Sequence, residues 1–151
     1  MGDKTTFVLT VLGGVSVFLV GQIALKMILE PCQEMKRILG NTSHLLLYHQ
    51  AKITNASANN DIATELKLKS AQIVSQTDVI LLYSFVRFFF WLPSKRNVLK
   101  ASHELNLLSH GMHSVTQPDE SLRVDVARDN AIAVREIGKL LDIRTTYGNT
   151  K

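Results

Sequence analysis

The chain has 151 residues, a net charge of +4, 46% hydrophobic and 20% charged residues. This allows one compact domain with an appendage. The charge is compatible with anionic lipid or nucleic acid without choosing between them, and double-stranded nucleic acid is not among the expected partners. A single cysteine, Cys32, excludes an intrachain disulfide and fits a reducing compartment.

The first element is apolar on every face. Residues 7–29 read FVLTVLGGVSVFLVGQIALKMIL, with Lys26 as the only charge. About 20 helical residues cross the hydrocarbon core, so a transmembrane helix is predicted over 5–29. A cleavable signal peptide fits less well: MGDK carries an aspartate, the apolar run is too long, and no small-residue cleavage pattern follows. Lys4 alone precedes the run, whereas Lys26, Lys36, Arg37 and Lys52 lie at or after it, which predicts a cytoplasmic carboxyl side. Thr10, Gly14, Val17, Gly21, Ala24 and Ile28 fall on one face at steps of four and three. Small residues let helices approach closely in lipid, so Thr10, Gly14, Gly21 and Ala24 are the candidate interface of a homo-oligomer.

Glu30-Pro31 is expected to break or kink this helix, because proline lacks the donor and suits a first turn. An amphipathic helix follows, with Met35, Ile38, Leu39, Thr42, Leu45, Leu46 and His49 at helical spacing, fading near Ile53. TNASANND at 54–61 reads as a polar loop in which Asn60 or Asp61 caps the next helix. There Ala63, Leu66, Ser70, Ile73, Thr77 and Ile80 repeat at threes and fours, and the pattern is expected to run on to Pro93, with Val79, Leu82 and Val86 on the same face. Ser94 caps a helix over 95–114 with Val98, Ala101, Leu105, Leu108 and Met112 on one stripe. SVTQPDES is a turn. A last helix over 119–142 carries Val124, Ala127, Ala131, Val134, Gly138 and Leu141, and RTTYGNTK is a frayed tail. No alternating strand pattern appears. The fold class is therefore all-α: a transmembrane helix at 5–29, a cytosolic antiparallel bundle of three or four helices at 30–115, a C-terminal helix at 116–143 and a flexible tail at 144–151.

FVRFFFWLPSKRN, residues 85–97, breaks local rules twice. Phe88, Phe89, Phe90 and Trp91 are adjacent, so they point all round a helix and some must meet lipid or a partner. Lys95 and Arg96 fall in a first turn, where cations oppose the helix dipole. A second span over 79–92 would carry Arg87 at a cost of about 2.5–3.5 kcal/mol. Rings bordered by cations suit the headgroup boundary. Arg87, Ser94, Lys95 and Arg96 are the candidate anion-binding residues, and Phe88 to Trp91 the candidate lipid or partner contact.

No catalytic motif is present. His103, His110 and His113 have no carboxylate or thiolate on their face to complete a metal site, and HELNL carries Leu107 where a zinc protease has its second histidine. No cofactor, metal or enzymatic activity is expected.

Glu30 to Lys36 (EP-x-Q-E-x-K), Tyr48 to Ala51 (Y-H-x-A) and PSKRNVLKASHELNLLSHGMH at 93–113 resemble a family of small bacterial membrane proteins of unknown activity. The resemblance implies an inner-membrane protein with one amino-terminal span and a helical domain. The architecture is also similar to CRISPR-associated membrane effectors that sense cyclic oligoadenylate. Two functional expectations follow. One is a non-enzymatic, oligomerising membrane protein with a cytosolic interaction or sensor domain. The other is a ligand-gated antiviral effector that binds an anionic nucleotide and perturbs the membrane.

Overall fold

The computed structural model describes residues 2–55, 57, 59–114 and 120–148. These residues form helices and connecting turns, with no strand among them. The turn expected at SVTQPDES lies largely outside the described residues.

The first helix, α1 (Gly2–Ala24), continues through a π-helical turn at Leu25–Leu29 into α2 (Glu30–Tyr48). Residues 3–48 thus form a single 46-residue helix, about 69 Å long at 1.5 Å per residue. Pro31 does not break it. The Glu30 N–H reaches back five residues to the Leu25 carbonyl, and this wider turn absorbs the register upset where proline removes a donor. The π turn is also a boundary in packing. Every described side chain of α1 is exposed, burial begins at Ile28, and Cys32 and Met35 are fully buried. The exposed part is long and apolar enough to cross a membrane.

After α3 (Gln50–Thr54), helix α4 (Asn60–Val79) returns beside α2. Asn59, not Asn60 or Asp61, is its cap: the side-chain oxygen accepts from the Ile62 N–H at 3.4 Å. Gln76 Nε2 donates to the Pro31 carbonyl at 3.0 Å, which ties the end of α4 to the start of α2. Helix α6 (Lys95–Ser114) runs antiparallel to α4. Ser70 Oγ donates to the Ser102 carbonyl (2.8 Å) and Ser109 Oγ to that of Ala63 (2.7 Å). The predicted α6 stripe is buried throughout: Val98, Ala101, Leu105, Leu108 and Met112. Each large side chain so removed from water contributes about 1.5–3 kcal/mol.

Helix α7 (Glu120–Leu141) packs on α6 and α3, but not quite on the expected stripe. Val124 is exposed and Ala127 and Ala131 only half-buried, whereas Asn130, Val134, Ile137 and Leu141 face the core. Asn130 is there for its amide, which donates to the Ile53 carbonyl at 2.9 Å and satisfies the end of α3. Substituting Asn130 with leucine is expected to orphan that carbonyl and cost about 1–3 kcal/mol, read by denaturant unfolding. The segment expected to fray begins packed: Thr145 is buried against Gly138, and Ser43 Oγ donates to the Arg144 carbonyl.

Candidate functional site

The helix through Asp78 does not run on to Pro93. It stops at Val79, Ile80 adopts an extended conformation, and α5 (Tyr83–Phe90) leaves at 109° to α4. This overturns the single-face expectation for Val79, Leu82 and Val86. Val86 is buried, but Val79 and Leu82 are 62% and 65% exposed. No proline or glycine marks the break. Leu82 (φ 53°) and Trp91 (φ 52°) bracket α5 in left-handed backbone, which costs a bulky residue about 1–2 kcal/mol. At Trp91 the strain serves a helix end: the Leu92 N–H reaches the Arg87 carbonyl at 3.0 Å, the pattern for which glycine is usual.

One side of α5 is anchored. Tyr83 and Val86 are buried and Phe90 is half-buried. Tyr83 Oη donates to the Pro93 carbonyl at 2.7 Å, closing the loop back on itself. Burial pushes the Tyr83 phenol up to about 12, against smaller lowering contributions from Thr77 and Arg87. The other side is open. Phe85, Phe88, Phe89 and Trp91 are all exposed, Phe88 at 82% and Trp91 at 84%. With Val79, Leu81 and Leu82 they make seven exposed large apolar residues within 79–91, a concentration that marks an interaction surface.

Position gives this surface its meaning. Through Gln76 and Pro31, the end of α4 sits where the exposed helix passes into the packed domain. Turning 109° there, α5 runs across the end of α4. At eight residues it is about 12 Å long, too short to span by itself, and α4 with α5 is long and apolar enough only if the bent pair counts as one span.

The expected anion-binding residues separate. Arg87 and Ser94 line one cavity of about 630 Å³ with Phe88, Trp91, Leu92, Pro93 and Asn97. Ser94 caps α6 as expected, its Oγ accepting from the Asn97 N–H at 3.1 Å. Lys95 instead reaches Asp78 at 3.5 Å and lies 5.7 Å from the Tyr83 ring centroid. Arg96 is exposed and lines no part of this cavity. The cation at the helix start is therefore offset by Asp78, a partner that only the turn after α4 brings near. Phe90 parts from its neighbours by packing against the core. Sequence reasoning missed Tyr83, whose signal, a tyrosine ten residues before a proline carbonyl, has no local pattern.

Along α1, a Cβ added at Gly14 or Gly21 would meet no side chain or other element of the described chain within 4 Å, and the Thr10 hydroxyl donates to its own helix at the Thr6 carbonyl. Cys32 is buried, and that burial raises its thiol pKa despite Lys36, the opposite of an activated nucleophile. Among the described residues no group of three or more His, Cys, Asp or Glu side chains is placed to hold a metal ion. Comparison with family models, curated proteins and solved structures finds no match, so the function has to be argued from this chain's own residues.

Proposed function

We propose that this is a non-enzymatic, single-span membrane protein whose helical domain sits on the cytoplasmic face of the bilayer, held there by α1 and by the aromatic side of α5. The observation that carries the reading is the 109° departure of α5 beside the end of the spanning helix. A long apolar helix and a short ring-bearing helix meet at one level, where rings and cations suit the interface between hydrocarbon and headgroups. The packed helices α2, α4, α6 and α7 then form a platform of fixed height and orientation for a protein partner or another copy. The small-residue face of α1 is the proposed site of self-association in lipid. Binding of an anionic nucleotide draws less from this arrangement, since Lys95 is engaged by Asp78 and Arg96 stands outside the cavity.

Topology tests the reading. A reporter active only in the cytoplasm is expected to work both when fused after Lys151 and when inserted in the loop after Asn55. Activity at Lys151 alone would mean that the chain crosses again between them, and the seated-domain reading would fall. Activity at neither would reverse the orientation.

A further inference from the structure

The cavity beside α5 has a composition that selects among ligands. Its walls are Phe88, Trp91, Leu92 and Pro93 on the apolar side and Arg87, Ser94 and Asn97 on the polar side. Its volume of about 630 Å³ lies within the range of small-molecule sites. Arg87 is half-buried. Arg37 is paired with Glu34 at 2.7 Å and Lys95 with Asp78 at 3.5 Å. Among the described residues Arg87 has no carboxylate within ion-pair distance. A partly desolvated guanidinium without a counter-charge is costly unless an anion completes it, and its planar fork matches two oxygens of a phosphate.

The charge of the lining limits what that anion is. One guanidinium balances one negative charge. A nucleotide with several phosphate charges would leave most of them unpaired, because Lys95 and Arg96 do not line the cavity. The remaining walls are hydrocarbon and rings, and two of those rings, Phe88 and Trp91, belong to the surface assigned to the bilayer. A ligand with a single phosphodiester charge and an attached apolar chain satisfies both halves. We propose that this cavity binds one anionic phospholipid, with Arg87 on the phosphodiester, Ser94 and Asn97 at the polar headgroup, and Phe88, Trp91 and Leu92 along the first carbons of the chain. The rest of the chain stays in the membrane. This site rests on the seating of α5 proposed above and adds a lipid preference to it.

Trp91 is the sole tryptophan of the chain and lines the cavity, so it reports occupancy directly. Full-length protein in a neutral detergent is titrated with short-chain phosphatidylglycerol and, separately, with phosphatidylcholine of the same chains. A saturable change in Trp91 emission is expected with phosphatidylglycerol, and phosphatidylcholine should require about ten times more lipid. Arg87→Gln should weaken the phosphatidylglycerol response about tenfold, the scale of one charge-assisted hydrogen bond. Arg87→Lys, which keeps the charge but loses the fork, should fall between, and Arg96→Gln should titrate as the wild type does. Equal responses to the two lipids, or equal responses of Arg87→Gln and wild type, overturn the proposal. So does saturation by inorganic phosphate or a nucleotide at lower concentration than the lipid, since the cavity would then be a site for soluble anions. Seating is read apart from the lipid preference, by quenching of Trp91 in pure phosphatidylcholine bilayers. A quenched but lipid-indifferent Trp91 sinks this site alone, whereas an unquenched one sinks the seating itself.

Discussion

A fragment that begins at Glu30, and so lacks the span, is expected to bind phospholipid vesicles on its own. Replacing Phe88, Phe89 and Trp91 together with serine is expected to weaken that binding at least about hundredfold. The fragment keeps every fully buried residue of the core, because no described side chain of α1 is buried and it loses only the half-buried Ile28 and Leu29 from the core's edge. Each ring withdrawn from water is worth about 1.5–3 kcal/mol when fully buried. Three rings only partly immersed therefore exceed the roughly 2.7 kcal/mol that a hundredfold change represents. The same variant should unfold within about 0.5 kcal/mol of the wild type, since the three side chains are exposed and touch little of the domain. That pairing of results separates a membrane surface from ordinary packing. Unchanged vesicle sedimentation, or a large loss of stability, would mean that the rings serve the fold.

Tyr83 carries the second large effect, through pH. Its ring is buried and its hydroxyl donates to the Pro93 carbonyl. The phenol ionises near 10 in an unfolded chain and is pushed up to about 12 here, chiefly by burial. A folded-state pKa raised above the unfolded value gives stability that is fully present below pH 10 and lost as pH rises through about 12. Two pH units correspond to a loss of about 2–3 kcal/mol. Tyr83→Phe should be less stable at neutral pH by about 1–2 kcal/mol, because the Pro93 carbonyl loses its donor, yet lack this site's alkaline loss. Unfolding midpoints measured from pH 8 to 12 should therefore converge for the two proteins. Parallel curves would show that Tyr83 does not hold α5 to the turn before α6.

What was legible in the sequence is what depends on local period. The α6 stripe from Val98 to Met112 and the α2 positions from Met35 to Leu46 repeat at threes and fours and are buried as that spacing requires. The apolar helix declares itself by length and lack of charge. Three features were hidden for identifiable reasons. Pro31 reads as a breaker, but the π turn just before it keeps the helix whole. Asn130 looks like a surface residue because its reason for burial, the Ile53 carbonyl, lies 77 residues away. The turn at 80–82 uses leucine in left-handed backbone where a glycine would have announced it, so the 109° bend could not be read from residue types.

The site divides along the same line. Adjacent rings at 88–91 were a sequence-level contradiction, and all but the half-buried Phe90 are exposed. Lys95 and Arg96 were a second contradiction, and for Lys95 a distant residue resolves it. Asp78 comes within 3.5 Å only because the chain reverses between them. The same reversal leaves Arg87 as the one cation among the described residues that line the cavity beside the rings. Local rule-breaking thus located the region, and tertiary contacts decided which residues within it are free to act.

The depth of Trp91 in the bilayer tests most directly the proposed seating of α5 in the membrane interface. The full-length protein is reconstituted in bilayers whose lipids carry bromine at a shallow, middle or deep chain position, and the emission of its one tryptophan is recorded in each. Blue-shifted emission and strongest quenching by the shallow label are expected, as for an indole at the boundary between headgroup and hydrocarbon. Strongest quenching by the deep label would place the helix across the membrane. Emission like that of indole in water, untouched by bromine at any depth, would mean that α5 does not touch the bilayer.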